Sequence, residues 1–139
     1  MKLLTPAQIR QILEDHSNGI KANLRGANLT GQGLRAADLS GADLREADLR
    51  KTNLRDAKLV GADLRGAAMC FANMAGADLT GANMRGANLL YADLYRASLA
   101  GADLTGADVY GADFSFADLR ANLDGTNIKD ACTTNARIE

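Results

Sequence analysis

Large aromatic side chains are nearly missing from this 139-residue chain. Tryptophan is absent, and three tyrosines with three phenylalanines make up only 4% of it. Apolar content still reaches 47%, and 26 alanines and 20 leucines supply most of it. An ordinary mixed core of large side chains is not what this composition builds. Charge of one sign is lacking as well. Sixteen Lys and Arg stand against 17 Asp and Glu, a formal net charge of -1. That balance argues against a polyanion binder and against a protein that copies a polyanion. No run of about 18 apolar residues exists, so no membrane span is expected. The start, Met1-Lys2-Leu3-Leu4-Thr5-Pro6, has no apolar stretch of signal-peptide length. A cytoplasmic chain is expected.

Metal-ligating and nucleophilic residues are scarce too. The cysteines are Cys70 and Cys132, far apart and without metal-ligand spacing, and His16 is the one histidine. A disulfide framework in so small a chain would need more cysteines. Two reduced thiols, no metal and no cofactor are expected.

What the chain does contain is a repeat. From Ala22 it reads Ala22-Asn23-Leu24-Arg25-Gly26, then Ala27-Asn28-Leu29-Thr30-Gly31, and continues in fives. Central residues fall at 24, 29, 34 and onward to 119, twenty in an unbroken series, and fifteen are Leu. The others are Met69, Met74, Met84, Val109 and Phe114. Two residues before each centre stands Ala, except at Gln32 and Thr52. One residue before it stands Asp ten times and Asn six times, and two after it Gly eleven times.

A period of five fits neither a helix nor a flat strand. On an α-helix the leucines would scatter round every side. On a strand an odd period sends alternate leucines to opposite faces. A third geometry works. Ala and Leu, two apart, share one side of a short extended stretch. The chain then bends, so that the next pair again faces inward, and repeated bends wind a tube. Gly permits the positive φ of tight turns, and Asp or Asn can hydrogen-bond turn backbone while staying wet.

Twenty tandem Ala-(Asp/Asn)-Leu-X-X units over residues 22–121, with a weaker continuation to 139, resemble the pentapeptide-repeat family. The resemblance implies an all-β solenoid: a right-handed quadrilateral parallel β-helix, four repeats per coil and one per face. Five coils then stack to about 24 Å at strand spacing. Such proteins occur widely in cyanobacteria, and some bind DNA gyrase as mimics of B-form DNA.

Residues 1–21 read as lead-in and cap. Thr5-Pro6 is an N-cap signature, Ile9, Ile12 and Leu13 share one side with Leu4, and Gly19 suits the stop. A short helix over 6–16 is expected to cover the first coil; a membrane-surface or partner helix is the alternative. After Leu119 the repeat restarts one residue early, with centres at Leu123, Ile128, Thr133 and Ile138. Residues 122–139 then form an imperfect sixth coil, or an irregular cap or dimer contact.

Residues twenty apart stack, which turns the sequence into a surface map. The first face carries a candidate arginine ladder, Arg25, Arg45, Arg65 and Arg85, interleaved with Asp43, Glu46, Asp63 and Asp103. Three faces are formally neutral and the fourth is -1. A neutralised, solvated ladder is favoured over a phosphate-binding stripe. Phe114 is central and should point inside. The other aromatics gather with Leu90 in one patch: Phe71, Leu90, Tyr91 and Tyr110 on the second face, Tyr95 and Phe116 on the third. That patch is the candidate partner or dimer surface, unless it merely stiffens the tube.

The functional expectation is a non-catalytic scaffold or protein-binding module, as a monomer or weak homodimer. Its partner is another protein, with no direct nucleic acid and no membrane contact. An enzyme is disfavoured because no Asp constellation departs from the lattice. The alternative, a gyrase-binding DNA mimic, calls for a strongly acidic rod, and these faces are neutral.

Overall fold

The computed structural model describes residues 2–139. Its architecture follows from a bend that recurs every five residues. In each repeat the central amide donates across to the next coil, as Leu44 N does to Asp63 O at 2.8 Å. Asp63 N returns a bond to Ala42 O at 2.9 Å. The chain then turns, and Ala47 N closes the corner on Leu44 O at 3.1 Å. Parallel bridges consequently join residues twenty apart, from Asn23↔Asp43 through Ser98↔Asp118. Each coil has four such bridge positions and four corners.

The stacking differs from the expected run of parallel strands in one respect. The pairing consists of isolated bridges, and no longer strand occurs among the described residues. Each straight stretch ends at a corner before a second bridge can form. At most corners the backbone enters the left-handed region two residues past the centre, for instance φ 67° at Gly41 and 59° at Glu46. That φ ends an extended stretch and turns the chain onto the next face of the coil.

The bore is filled as the pattern requires. All twenty central side chains, Leu24 through Leu119, are buried, Phe114 among them. From Ala42 to Ala117 the preceding alanines are buried beside them. The two departures from Ala have polar work to do. Thr52, fully buried, donates its hydroxyl to Leu29 O at 2.8 Å. Gln32 donates its side-chain amide to Leu4 O at 3.1 Å, tying the lead-in to the first coil.

Helix α1 spans Pro6–Ser17, one residue beyond the expected end. Thr5 caps it: its hydroxyl accepts from Gln8 N at 3.3 Å, and the Gln8 side chain accepts from Thr5 N at 2.9 Å. Ile9 is buried, and Leu4, Ile12 and Leu13 pack against the top of the bore. Leu3, to which the sequence reading gave no role, pairs in parallel with Asn28 and covers part of the first coil's edge. Among the described residues no helix is long and apolar enough to cross a membrane.

The early restart is absorbed at a single corner. Where Ala117 N reaches back three residues to Phe114 O, Ala121 N reaches back two, to Leu119 O at 2.8 Å. Bridges then resume as Asp103↔Asn122, Asp113↔Cys132 and Asp118↔Arg137. On the second face a 3₁₀ turn, Ile128–Asp130, takes the place of a bridge. There the Asn127 side chain accepts from Val109 N at 2.8 Å and donates to Asp108 at 2.8 Å, standing in for backbone.

Leu64 lies fully buried in the middle of the bore. Leu64→Ala is therefore expected to cost about 3 kcal/mol of stability, measured by denaturant unfolding. A cost under about 1 kcal/mol would mean that the bore is not close-packed.

Candidate functional site

The outer surface is ordered by hydrogen bonds within single repeats. The Asp or Asn before the centre turns its Oδ1 onto the amide of the residue after it, as in Asn53 to Arg55 N (3.1 Å) and Asp93 to Tyr95 N (3.0 Å). This Asx turn holds the corner and explains why those two residue types dominate.

Where the triplet is Asp-Leu-Arg, the two side chains sit on the same outward side and pair in a fork. Arg45 donates Nε and Nη2 to Asp43 at 2.8 and 2.6 Å. Arg50 grips Asp48 at 2.8 and 2.6 Å, and Arg65 grips Asp63 at 2.9 and 2.7 Å. Arg120 pairs with Asp118 in the same way. Where Asn replaces Asp the arginine looks elsewhere. Arg25 reaches Glu46 at 3.0 Å, and Arg85 reaches Asp103 at 3.2 Å. Each of Arg25, Arg45, Arg65 and Arg85 thus has a carboxylate partner. The ladder carries little free positive potential, and solvent-screened pairs of this kind add little to stability.

The aromatic residues form two adjoining groups. Phe71 stacks on Tyr91 with ring centroids 5.4 Å apart and planes 18° apart. Tyr110 meets Tyr91 edge-on at 5.7 Å. Tyr95 meets Phe116 edge-on at 5.7 Å. Phe71 and Phe116 remain about half exposed, as do Tyr91 and Tyr110. Leu90 is half-buried beside them.

Two features of this patch escaped the sequence reading. Arg96 lies over the Tyr95 ring at 5.1 Å and near the Phe116 ring at 5.9 Å. The signal was available, because Arg96 and Phe116 stand twenty apart. The second feature is backbone strain. Phe71, Tyr91 and Phe116 occupy left-handed corners at φ 58°, 54° and 59°. A bulky side chain there costs about 1 kcal/mol relative to the glycine used at most other corners.

Elsewhere the chemistry is sparse. Cys70 and Cys132 are free thiols. The Cys132 thiol is held below its usual range, chiefly by a hydrogen bond with Ser115 and secondarily by one with Thr134. His16 Nδ1 accepts from Ala22 N at 3.0 Å, anchoring the helix end. Among the described residues no group of three or more His, Cys, Asp or Glu could hold a metal ion.

Comparison with known proteins places this geometry. The family model described as pentapeptide repeats matches over residues 33–69, 62–99 and 87–138, with eight copies. The chain belongs to the pentapeptide-repeat family. It is similar to the crystal structure of Rfr23, a pentapeptide repeat protein from the cyanobacterium Cyanothece 51142, with a TM-score of 0.78 and 26% identity over 90% of this chain and 99% of that one. It is also similar to a pentapeptide repeat protein of the Arabidopsis thaliana thylakoid lumen, with a TM-score of 0.53 and 34% identity over 81% of this chain and 67% of that one. No curated protein matches the sequence.

Two outcomes follow. Arg50 holds the Asp48 carboxyl down to about 2, and Arg120 does the same for Asp118. A carboxylate with a lowered folded value adds stability that is fully present above its unfolded value of about 4. That stability is lost as the pH falls toward 2. Thermal unfolding should therefore be flat near neutrality and fall below about pH 4, and Asp48→Asn should reduce that fall. Separately, Tyr91→Gly removes two ring contacts, the stack on Phe71 and the edge-on contact with Tyr110, and relieves one left-handed strain that opposes their loss. Its stability should stay within about 1 kcal/mol of the parent; a loss beyond about 2 kcal/mol in chemical denaturation would make the aromatics structural stiffeners.

Proposed function

We propose that this chain is a non-catalytic scaffold that binds another protein through the aromatic face of its third to fifth coils. We further propose that its coils wind as a right-handed quadrilateral β-helix. The four corners per twenty residues support that winding, as does the general right-handedness of connections between parallel strands.

One observation carries the functional reading. Phe71, Tyr91 and Phe116 stand at exposed left-handed corners, positions where eleven of the twenty repeats use glycine. Strain accepted in order to display bulky apolar side chains to solvent has no purpose inside the tube, and large aromatics are the residues that anchor protein interfaces. The filled bore supports a role without catalysis, because the axis offers no cleft for a substrate. Paired arginines and neutral faces weigh against direct nucleic-acid binding. They also weigh against the gyrase-binding alternative, which calls for an acidic rod. The chain itself is a monomer or weak homodimer in this reading.

Site-resolved photo-crosslinking in the native host tests the proposal. A benzophenone side chain placed at Tyr91 should give adducts with one protein, and the same group at Val60 on the fourth face should not. Equal adducts from both positions, or none from position 91, would remove the aromatic face as the binding surface.

A further inference from the structure

The charges around the aromatic face identify what the partner must carry. Among the described residues, two bridges place carboxylate directly against carboxylate: Asp43↔Asp63 on the first face and Asp93↔Asp113 on the third. Side chains at such positions stack at the strand spacing of about 4.8 Å. At the first pair the chain supplies its own cation. Arg45 forks Asp43 at 2.8 and 2.6 Å and lies 3.7 Å from Asp63. At the second pair Tyr95 stands where Arg45 would be.

No ion pair reaches Asp93 or Asp113 among the described residues. Their Oδ1 atoms accept from the Tyr95 and Ser115 amides at 3.0 and 2.8 Å, which leaves the other oxygens available. The column continues into Asn73 above and Cys132 below, neither of which is a cation. Arg96, three residues beyond Asp93, lies over the Tyr95 and Phe116 rings instead.

We infer that the partner presents a basic segment, and that an arginine of that segment occupies the Asp93–Asp113 pair beside the Tyr91 and Tyr95 rings. This rests on the reading of the aromatic face as a protein-binding surface. A guanidinium suits the position on two counts: its fork matches paired carboxylates, and its plane stacks on aromatic rings. Lysine offers only a compact, strongly hydrated charge. A wholly apolar partner would bury two carboxylates without a counter-charge, and an acidic one would add repulsion.

The molecule contains its own reporter. All three tyrosines, Tyr91, Tyr95 and Tyr110, belong to the aromatic patch that spans the second and third faces, and there is no tryptophan. Tyrosine fluorescence is followed while a blocked Gly-Arg-Gly-Arg-Gly peptide is added to the full chain, with Lys and Glu versions as controls. The arginine peptide should give a saturable change, the lysine peptide a weaker one and the glutamate peptide none. Asp93→Asn with Asp113→Asn, at unchanged circular dichroism, should weaken arginine-peptide binding by about tenfold or more. Tyr95→Arg recreates the first-face arrangement and should abolish it.

Equal affinity in the parent and the double Asn variant would overturn the inference, as would no saturable response at millimolar peptide. A concentration-dependent dimer that the double Asn variant loses, without peptide binding, would assign the site to a second copy and overturn it too. If photo-crosslinks form at position 91 while the peptide fails, this inference falls and the binding-surface reading stands. If those crosslinks are absent, that reading falls first.

Discussion

The corner is the constraint on which the molecule depends. Twenty residues must close a coil, so the chain must turn after every short straight stretch. A turn that tight brings the backbone to positive φ at nearly every repeat, as at Gly41 and Glu46. Once the corners are set, the residue two before the centre and the centre itself face inward together, and only small and medium apolar groups fit the resulting bore. Burial of Leu24 through Leu119 follows from that spacing. So does the reduction of the sheet to single bridges, because no straight stretch lasts long enough for a second.

The same geometry governs the outside. Residues flanking the centre point outward side by side, so an Asp-Leu-Arg triplet neutralises itself before any partner arrives, as Asp43 with Arg45 and Asp63 with Arg65 show. The lattice is thereby electrically quiet over most of its area. Against that background the third face of the fourth and fifth coils departs twice. Its Asp93–Asp113 bridge lacks the arginine that fills the corresponding pair on the first face. Its corners carry Arg96 and Phe116 where glycine is usual, and Tyr91 stands at the neighbouring corner. Other corners also give up glycine, as at Ala36, Glu46, Lys51 and Asp56, but among the described residues only this part of the surface combines aromatic corners with a carboxylate pair that no arginine fills.

Much of this is legible in the residue order. Period five, with alanine and leucine two apart, leaves few alternatives to a wound tube, and the twenty-residue map grouped Phe71, Tyr91 and Tyr110 correctly as neighbours in space. The map also located Tyr95 beside Phe116. It did not assign Leu3 to the edge of the first coil, or Asn127 to the place of a missing bridge. Those contacts lie outside the repeat, where no periodicity links one residue to another.

The residue order by itself determined the inside: which side chains enter the bore, where the coils fall in register, and that residues past 121 resume one step early. These are consequences of local spacing repeated twenty times, and a local rule can be read along a line. Tertiary structure alone decided which charges remain unmatched. Arg96 could pair with a carboxylate or lie on a ring, and its place over Tyr95 and Phe116 is a competition among groups brought together from different coils. Long, flexible side chains settle such competitions only in the assembled surface, because no distance along the chain records which neighbour wins.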